Sequence, residues 1–335
     1  MIQRGEEINM GVGLEDARGT GVAPQVWIPG RTPSGVVPVV EKVALKETRG
    51  SKIASHGAEI IKSRAEGDHE FNLRVQSIGY LLKSLLGAVS SQAKNAPNGA
   101  VYDHTFSVLP NDPEHPSLTI GIAQSSGQDY KYSLGVVSNL SIEMTPDDLV
   151  KAVASFIASA EAEQSPPYVP AFSDDDVYFR HQDITIKMAD DMSGLAAAAA
   201  LKVKSMKIDI PNGGRADHNV SELNPGNVLA TQLDPKVAFE VDYQNEDLHD
   251  SYTGGEYFAL QITMERADIT IGSNQHPKLV ITFPKCSLSK WTPNRPIDDV
   301  VREQVEAMVH YDEDEAKAIS VVLTNLLTGY EPAES

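Results

Sequence analysis

The sequence predicts a mainly β protein made of two tandem β-sandwich or barrel units, each with a flanking α-helix. Three observations predict it. Stretches of strict alternation recur along the chain. The two cleanest are 68–77, with Phe71, Leu73 and Val75 against Glu70, Asn72, Arg74 and Gln76, and 236–244, with Val237, Phe239, Val241 and Tyr243 against Ala238, Glu240, Asp242 and Gln244. Period-2 alternation is the pattern of a strand with one wet face. Second, Leu-Ser, Thr-Pro, Asp-Asp and a hydrophobic pair recur in the same order from Leu140 and from Leu288. Third, an alternating strand region lies upstream of both copies, at similar places in two halves of similar length, as a duplicated unit requires.

Each copy reads as a strand-to-helix corner. In the first, Leu134, Val136, Leu140, Ile142 and Met144 share one strand face. Thr145 then suits an N-cap, Pro146 the first helical position, and Asp147 and Asp148 the positive end of a helix dipole. Leu149, Val153, Phe156, Ile157 and Ala160 complete a helical stripe, as Val301, Val305, Met308 and Val309 do in the second.

In chain order, Gly/Pro-punctuated residues 1–35 read as an extended arm. A strand over 36–47, a polar loop over 48–67 and the strand 68–77 make a long hairpin. Ile78, Leu81, Leu82, Leu85 and Val89 form a short amphipathic helix, and 101–109 and 117–124 are strands. The first unit then spans 36–165, a Pro-rich linker 166–172, and the second unit 173–330. In the second, strands are expected at 183–188, 201–210, 236–244, 256–271, 278–290 and 318–325, with a long polar loop over 211–234.

The formal charge of the 335-residue chain is −19. Residues 1–168 hold 14 basic and 19 acidic side chains, and residues 169–335 hold 14 and 28. Such a balance argues against gripping a phosphate backbone, which is the work of Lys and Arg. No signal peptide or membrane span is expected. The single cysteine, Cys286, precludes an internal disulfide and fits a reducing cytoplasm.

Catalytic signatures are missing. The Gly11/Gly13 pair has neither the third glycine nor the strand and helix of a nucleotide loop. The nine histidines are scattered, without zinc spacing. The runs Asp174–Asp176 and 312–315 lack the pattern of a calcium loop. Nucleophile elbows and interleaved basic–aromatic platforms are also absent. No enzyme activity, catalytic residue, metal or cofactor is expected.

The order of several segments resembles that of the major tail tube proteins of long-tailed, siphovirus-type bacteriophages. These are the Gly13-Leu-Glu-Asp-Ala-Arg-Gly-Thr-Gly-Val-Ala-Pro24 stretch, the Gly79-Tyr-Leu-Leu-Lys-Ser-Leu-Leu-Gly87 helix and His104-Thr-Phe followed by Pro116-Ser-Leu-Thr-Ile120. Leu134–Ile142 and the closing Val322-Leu-Thr-Asn-Leu-Leu-Thr-Gly329 also belong to it. The resemblance implies a β-sandwich or barrel that assembles with its own copies into stacked rings around a DNA-delivery channel. It implies a location in the virion tail after assembly in the host cytoplasm. The implied partners are the tape measure, tail terminator and tail tip proteins, with DNA passing unbound and no membrane. The internal duplication departs from one-unit members, so a trimer of pseudo-sixfold appearance is favoured over a hexamer. A secretion-system tube or tail-end ring protein would share the fold. The alternative class is a two-domain β-sandwich decoration or surface-binding module.

On this reading the wet faces of the two cleanest strands, Glu70, Asn72, Arg74 and Gln76 with Glu240, Asp242 and Gln244, are candidates to line the lumen. Arg49, Lys52, His56 and Glu59 on the first long loop, and Arg215, Asp217, His218 and Glu222 on the second, are candidates to contact neighbouring subunits or rings, together with residues 11–35.

Overall fold

The computed structural model describes residues 4–50, 52–95, 97–125 and 127–332. The first half contains β1 (Ile8–Leu14), β2 (Val26–Ile28), β3 (Val37–Ala44), β4 (Ala58–Asn72), α1 (Ser77–Leu86), β5 (Gly87–Ala93), β6 (Tyr102–Val108), β7 (Leu118–Gln124), β8 (Tyr130–Met144), β9 (Lys151–Ala158) and β10 (Glu161–Glu163). The second contains β11 (Ile184–Ala189), β12 (Val203–Pro211), β13 (Arg215–Asp217), β14 (Asn227–Leu229), β15 (Lys236–Asp242), α2 (Asp247–Gly254), β16 (Tyr257–Glu265), β17 (Lys278–Asn294), β18 (Arg302–His310) and β19 (Ser320–Asn325). The protein is mainly β, and among the described residues every strand pair is antiparallel.

The halves repeat one topology. In the first, hydrogen-bonded neighbours run β1-β7-β8-β9-β4-β3. In the second they run β11-β16-β17-β18-β15-β12. Even the irregularities coincide. The β8–β9 ladder shifts between Val137 and Asn139, and β17–β18 between Leu288 and Lys290. The β7–β8 ladder shifts between Leu118 and Ile120, and β16–β17 between Phe258 and Leu260. A 3-10 turn with an Arg cap enters each first strand, Arg4 before β1 and Arg180 before β11. Each unit places its α-helix after the equivalent strand, α1 after β4 and α2 after β15. The β5–β6 hairpin is an insertion of the first unit.

The halves are joined by hydrogen-bonded strands. β12 lies along β8, from Met206 opposite Met144 to Pro211 opposite Asn139. β19 pairs with β6, from Val321 opposite Phe106 to Asn325 opposite Tyr102. One sheet therefore runs β3-β4-β9-β8-β12-β15-β18-β17 through both units. Its inner side packs on α1, whose Ile78, Leu81, Leu82, Leu85 and Leu86 are buried. Ile78, Leu81, Leu82 and Leu85 are the stripe that the sequence spacing predicts, whereas Val89, expected on the same helix, lies on β5 because α1 ends at Leu86.

The two expected corner helices are strands. Residues 151–158 form β9, with Ala152, Ala154, Phe156 and Ala158 buried and the residues between them partly exposed. Residues 302–310 form β18, burying Glu303, Val305 and Ala307 in alternation. Both segments fit either period, and the alanines of β9 favour helix by propensity. Ladders on both sides of each segment decide the matter, β4 and β8 for β9, β15 and β17 for β18. The shared Thr-Pro…Asp-Asp signature thus marks two equivalent hairpins: its Thr-Pro pair lies at the first hairpin's turn but inside β17 in the second.

Three loop readings also change, the expected 211–234 loop holding the short β13–β14 ladder. Residues 8–14, read as arm, form β1 with Met10, Val12 and Leu14 in the core. The glycines between them are dictated by close approach: a Cβ on Gly11 would sit 2.8 Å from Pro24 and 2.9 Å from Trp27. Residues 58–67, read as loop, belong to β4, and the tip of the β3–β4 ribbon is confined to 45–57.

Candidate assembly surface

The second side of the shared sheet is polar. Across it run Glu70 and Asn72 of β4, Lys151 and Ser155 of β9, Asn139, Ser141 and Glu143 of β8, Lys207 and Asp209 of β12, Glu240 and Asp242 of β15, Arg302, Gln304 and Glu306 of β18, and Lys290 and Thr292 of β17. Glu70 and Glu240 are equivalent positions, as are Asn72 and Asp242, because Asn72 faces Lys151 and Asp242 faces Arg302 at matching points of β9 and β18.

Cations on this face sit beside carboxylates. Arg31 reaches Asp148 at 2.6 Å and Glu70 at 3.6 Å, and Lys151 reaches Glu143 at 2.6 Å. Lys207 meets Asp209 and Lys204 meets Asp242, each at 2.9 Å, and Lys290 meets Glu306 at 2.7 Å. Arg302 lies between Glu240 at 3.8 Å and Asp242 at 3.6 Å. The hydrogen bond from Arg31 holds Asp148 below its ordinary pKa, and that to Glu143 raises Lys151. The surface is therefore a mosaic of short-range pairs rather than a bare acidic wall.

Of the seven residues expected on a lumen, Glu70, Asn72, Glu240 and Asp242 share this face. Gln244 is exposed beyond the end of β15. Arg74 and Gln76 leave it because β4 ends at Asn72. The Arg74 guanidinium donates to the Asp176 carbonyl at 2.6 Å and lies over the Tyr178 ring. Gln76 is buried at the start of α1, where its N–H and that of Ser77 donate to the Asp176 carboxylate at 2.6 and 3.1 Å. Burial raises the Asp176 pKa against those bonds.

The long-loop candidates lie on two projections. Arg49 pairs with Glu47, and Lys52 and His56 are exposed near the ribbon tip. Glu59 is exposed on β4 opposite Val43. Arg215 and Asp217 are on β13, paired with β14, His218 follows them, and Glu222 accepts from Asn219 at 2.8 Å. The structure brings the two projections together: Ser63 N–H donates to the Leu223 carbonyl at 2.9 Å. At its base the second is tied inward, with Val228 buried beside Leu134 and Val136 and the Arg18 guanidinium donating to Asn227 Oδ1 and the Val228 carbonyl, each at 2.6 Å.

Sequence reasoning missed Lys151, Lys207 and Arg302 on the polar face. The alternation of 151–158 was the available signal, masked by its helical stripe. No cluster of three or more His, Cys, Asp or Glu fit to hold a metal exists among the described residues, and no helix there is long and apolar enough to cross a membrane. Cys286 is buried, which pushes its thiol up to about 12.

The chain thus repeats an antiparallel unit and carries one sheet from the first unit into the second. A family model described as phage tail tube protein matches residues 5–306, and the chain belongs to that family. No curated protein matches it.

Proposed function

We propose that this chain is the structural subunit of a tail tube in the virion, that its copies close into rings, and that the rings stack around the channel delivering DNA to the host. The observation that carries the reading is the β8–β12 seam. It joins two equivalent units edge to edge in one continuous sheet, and repetition of that relation from chain to chain closes a ring without leaving strand edges open. With two units per chain, three chains supply the six positions of a pseudo-sixfold ring. The two projections that meet at Ser63 and Leu223 extend to the neighbouring ring. Tape measure, terminator and tip proteins are the partners such a tube requires.

The polar face is the channel wall in this reading. DNA gains affinity by releasing counterions wherever it meets free Lys or Arg. Here a wall cation must first give up its carboxylate, so the polyanion passes without being held. Nothing in this role calls for catalysis.

Electron microscopy of the purified protein tests the proposal. Rings or tubes with three chains per ring are expected. Particles that stay monomeric at high concentration across salt conditions would overturn the assembly reading. A ring of six chains would overturn the trimer alone.

A further inference from the structure

The internal seam has a counterpart at each end of the chain. The bulges of β8 and β17 bring Ser138 into correspondence with Ser289, so residues 139–144 correspond to 290–295. Likewise Glu66 of β4 corresponds to Lys236 of β15. Their partners Val37 and Asp209 therefore correspond, and residues 34–39 match 206–211 of β12. Within the chain, 206–211 covers 139–144. The matching edges are open from Val37 onward on β3 and beyond Ser287 on β17, while Val36 just before β3 is buried like its equivalent Ile208. Among the described residues, β3 pairs only with β4, and β17 beyond Ser287 pairs only with β18.

Burial records the difference. Leu140, Ile142 and Met144 are buried beneath the second unit, whereas their equivalents Trp291 and Pro293 are partly exposed and Arg295 is exposed. On the other edge, Val37 is 52 % exposed, and Val40 and Val43 farther along β3 are exposed too. An open strand edge bearing apolar side chains is a template for another chain.

We propose that residues 34–39 of one copy pair antiparallel with residues 290–295 of the next copy, Val37 opposite Thr292, in the register of β12 on β8. This rests on the ring reading and specifies its joint. The two edges differ, so the contact is head-to-tail and each copy offers one edge of each kind. Trp291 then gains the cover that Leu140 already has. Pro38 and Pro293 each withhold a donor from the ladder, so this joint has fewer hydrogen bonds than the internal one, and either edge is a poor match for itself.

The register provides the test. Asn212 N–H donates to the Ser138 carbonyl at 3.0 Å. Alternation then makes 209/141 and 211/139 non-hydrogen-bonded pairs, with Cα atoms about 4.5 Å apart, a spacing a disulfide spans. Two double variants place cysteines at the equivalent pairs, Val37→Cys with Thr292→Cys, and Val39→Cys with Lys290→Cys. Buried Cys286 contributes little background. Mild oxidation of assembled protein should give covalent multimers with either pair. The offset combination, Val39→Cys with Thr292→Cys, should link about tenfold less, its Cα atoms being about 7–8 Å apart on the diagonal, beyond the reach of a disulfide. Intact rings with no link from either in-register pair, or with the offset pair linking as well, would overturn the joint while leaving the ring standing. An unmodified chain that forms no rings at all would overturn both.

Discussion

Replacing Gly79 by alanine should destabilise the protein through one ring. Gly79 lies in the first turn of α1, and a Cβ there would overlap the side chain of Tyr330. That tyrosine is fully buried, with its ring 5.0 Å from Tyr80, 4.8 Å from His104 and 5.7 Å from Phe106. Its hydroxyl donates to the Gln76 carbonyl at 3.0 Å and accepts from Asn325 Nδ2 at 2.7 Å. Expelling the ring forfeits about 1.5–3 kcal/mol of apolar burial and about 1 kcal/mol for each hydrogen bond. The better helix propensity of alanine returns at most about 1 kcal/mol. The net loss is about 3 kcal/mol, read as a lower urea midpoint. The decisive comparison is a double-mutant cycle with Tyr330→Ala. With the ring removed, Gly79→Ala has nothing to displace, so the double variant should be no less stable than Tyr330→Ala alone. Additive losses would refute the reasoning, since they would mean that Gly79 is required for some reason other than room for Tyr330.

Three further outcomes are expected. Glu240→Lys with Asp242→Lys should leave tubes intact, because the partly exposed, solvent-screened pairs with Arg302 and Lys204 contribute about 1 kcal/mol or less each; genome ejection should slow and become more salt-dependent, and ejection unchanged at every salt concentration would remove this face from the channel. Deleting only the tip 219–225, which spares buried Val228, should give folded chains with normal circular dichroism that form no long tubes; full-length tubes from that variant would exclude the tip from ring stacking. The third concerns acid. Burial lowers His69 to about 4, its ring contacting the Ile28 carbonyl at 3.1 Å, so the folded state resists protonation. Stability from this group is complete above about pH 6.5 and is lost as pH falls from there toward 4, by about 3 kcal/mol in all. His69→Gln should flatten that limb of a stability–pH curve, leaving the slope from His104 and His115, whose pKa values burial also lowers; an unchanged limb would show that His69 does not titrate there.

The sequence by itself determined the mainly β fold class and most strands. Alternation at 68–72 and 236–242 is a local property, since a strand with one wet face must write period 2 into its side chains. The paired Thr-Pro…Asp-Asp signatures pointed to a repeat, but the structure type assigned to them was wrong and their Thr-Pro pairs are not equivalent positions, Thr292 matching Ser141. That error has a physical cause. Residues 151–158 are short, alanine-rich and apolar at spacings that satisfy helix and strand together, and only the ladders from distant β4 and neighbouring β8 separate the two. The glycines of β1 likewise gain their meaning from Pro24 and Trp27 packed against them. The polar face was half legible. Glu70, Asn72, Glu240 and Asp242 were visible as wet positions, but Arg74 and Gln76 continue the same alternation past the point where Asp176 draws the chain into α1. The pairing of β12 with β8 was beyond any local pattern. It depends on which edges remain unfilled after each unit has formed, and that is decided by tertiary structure alone.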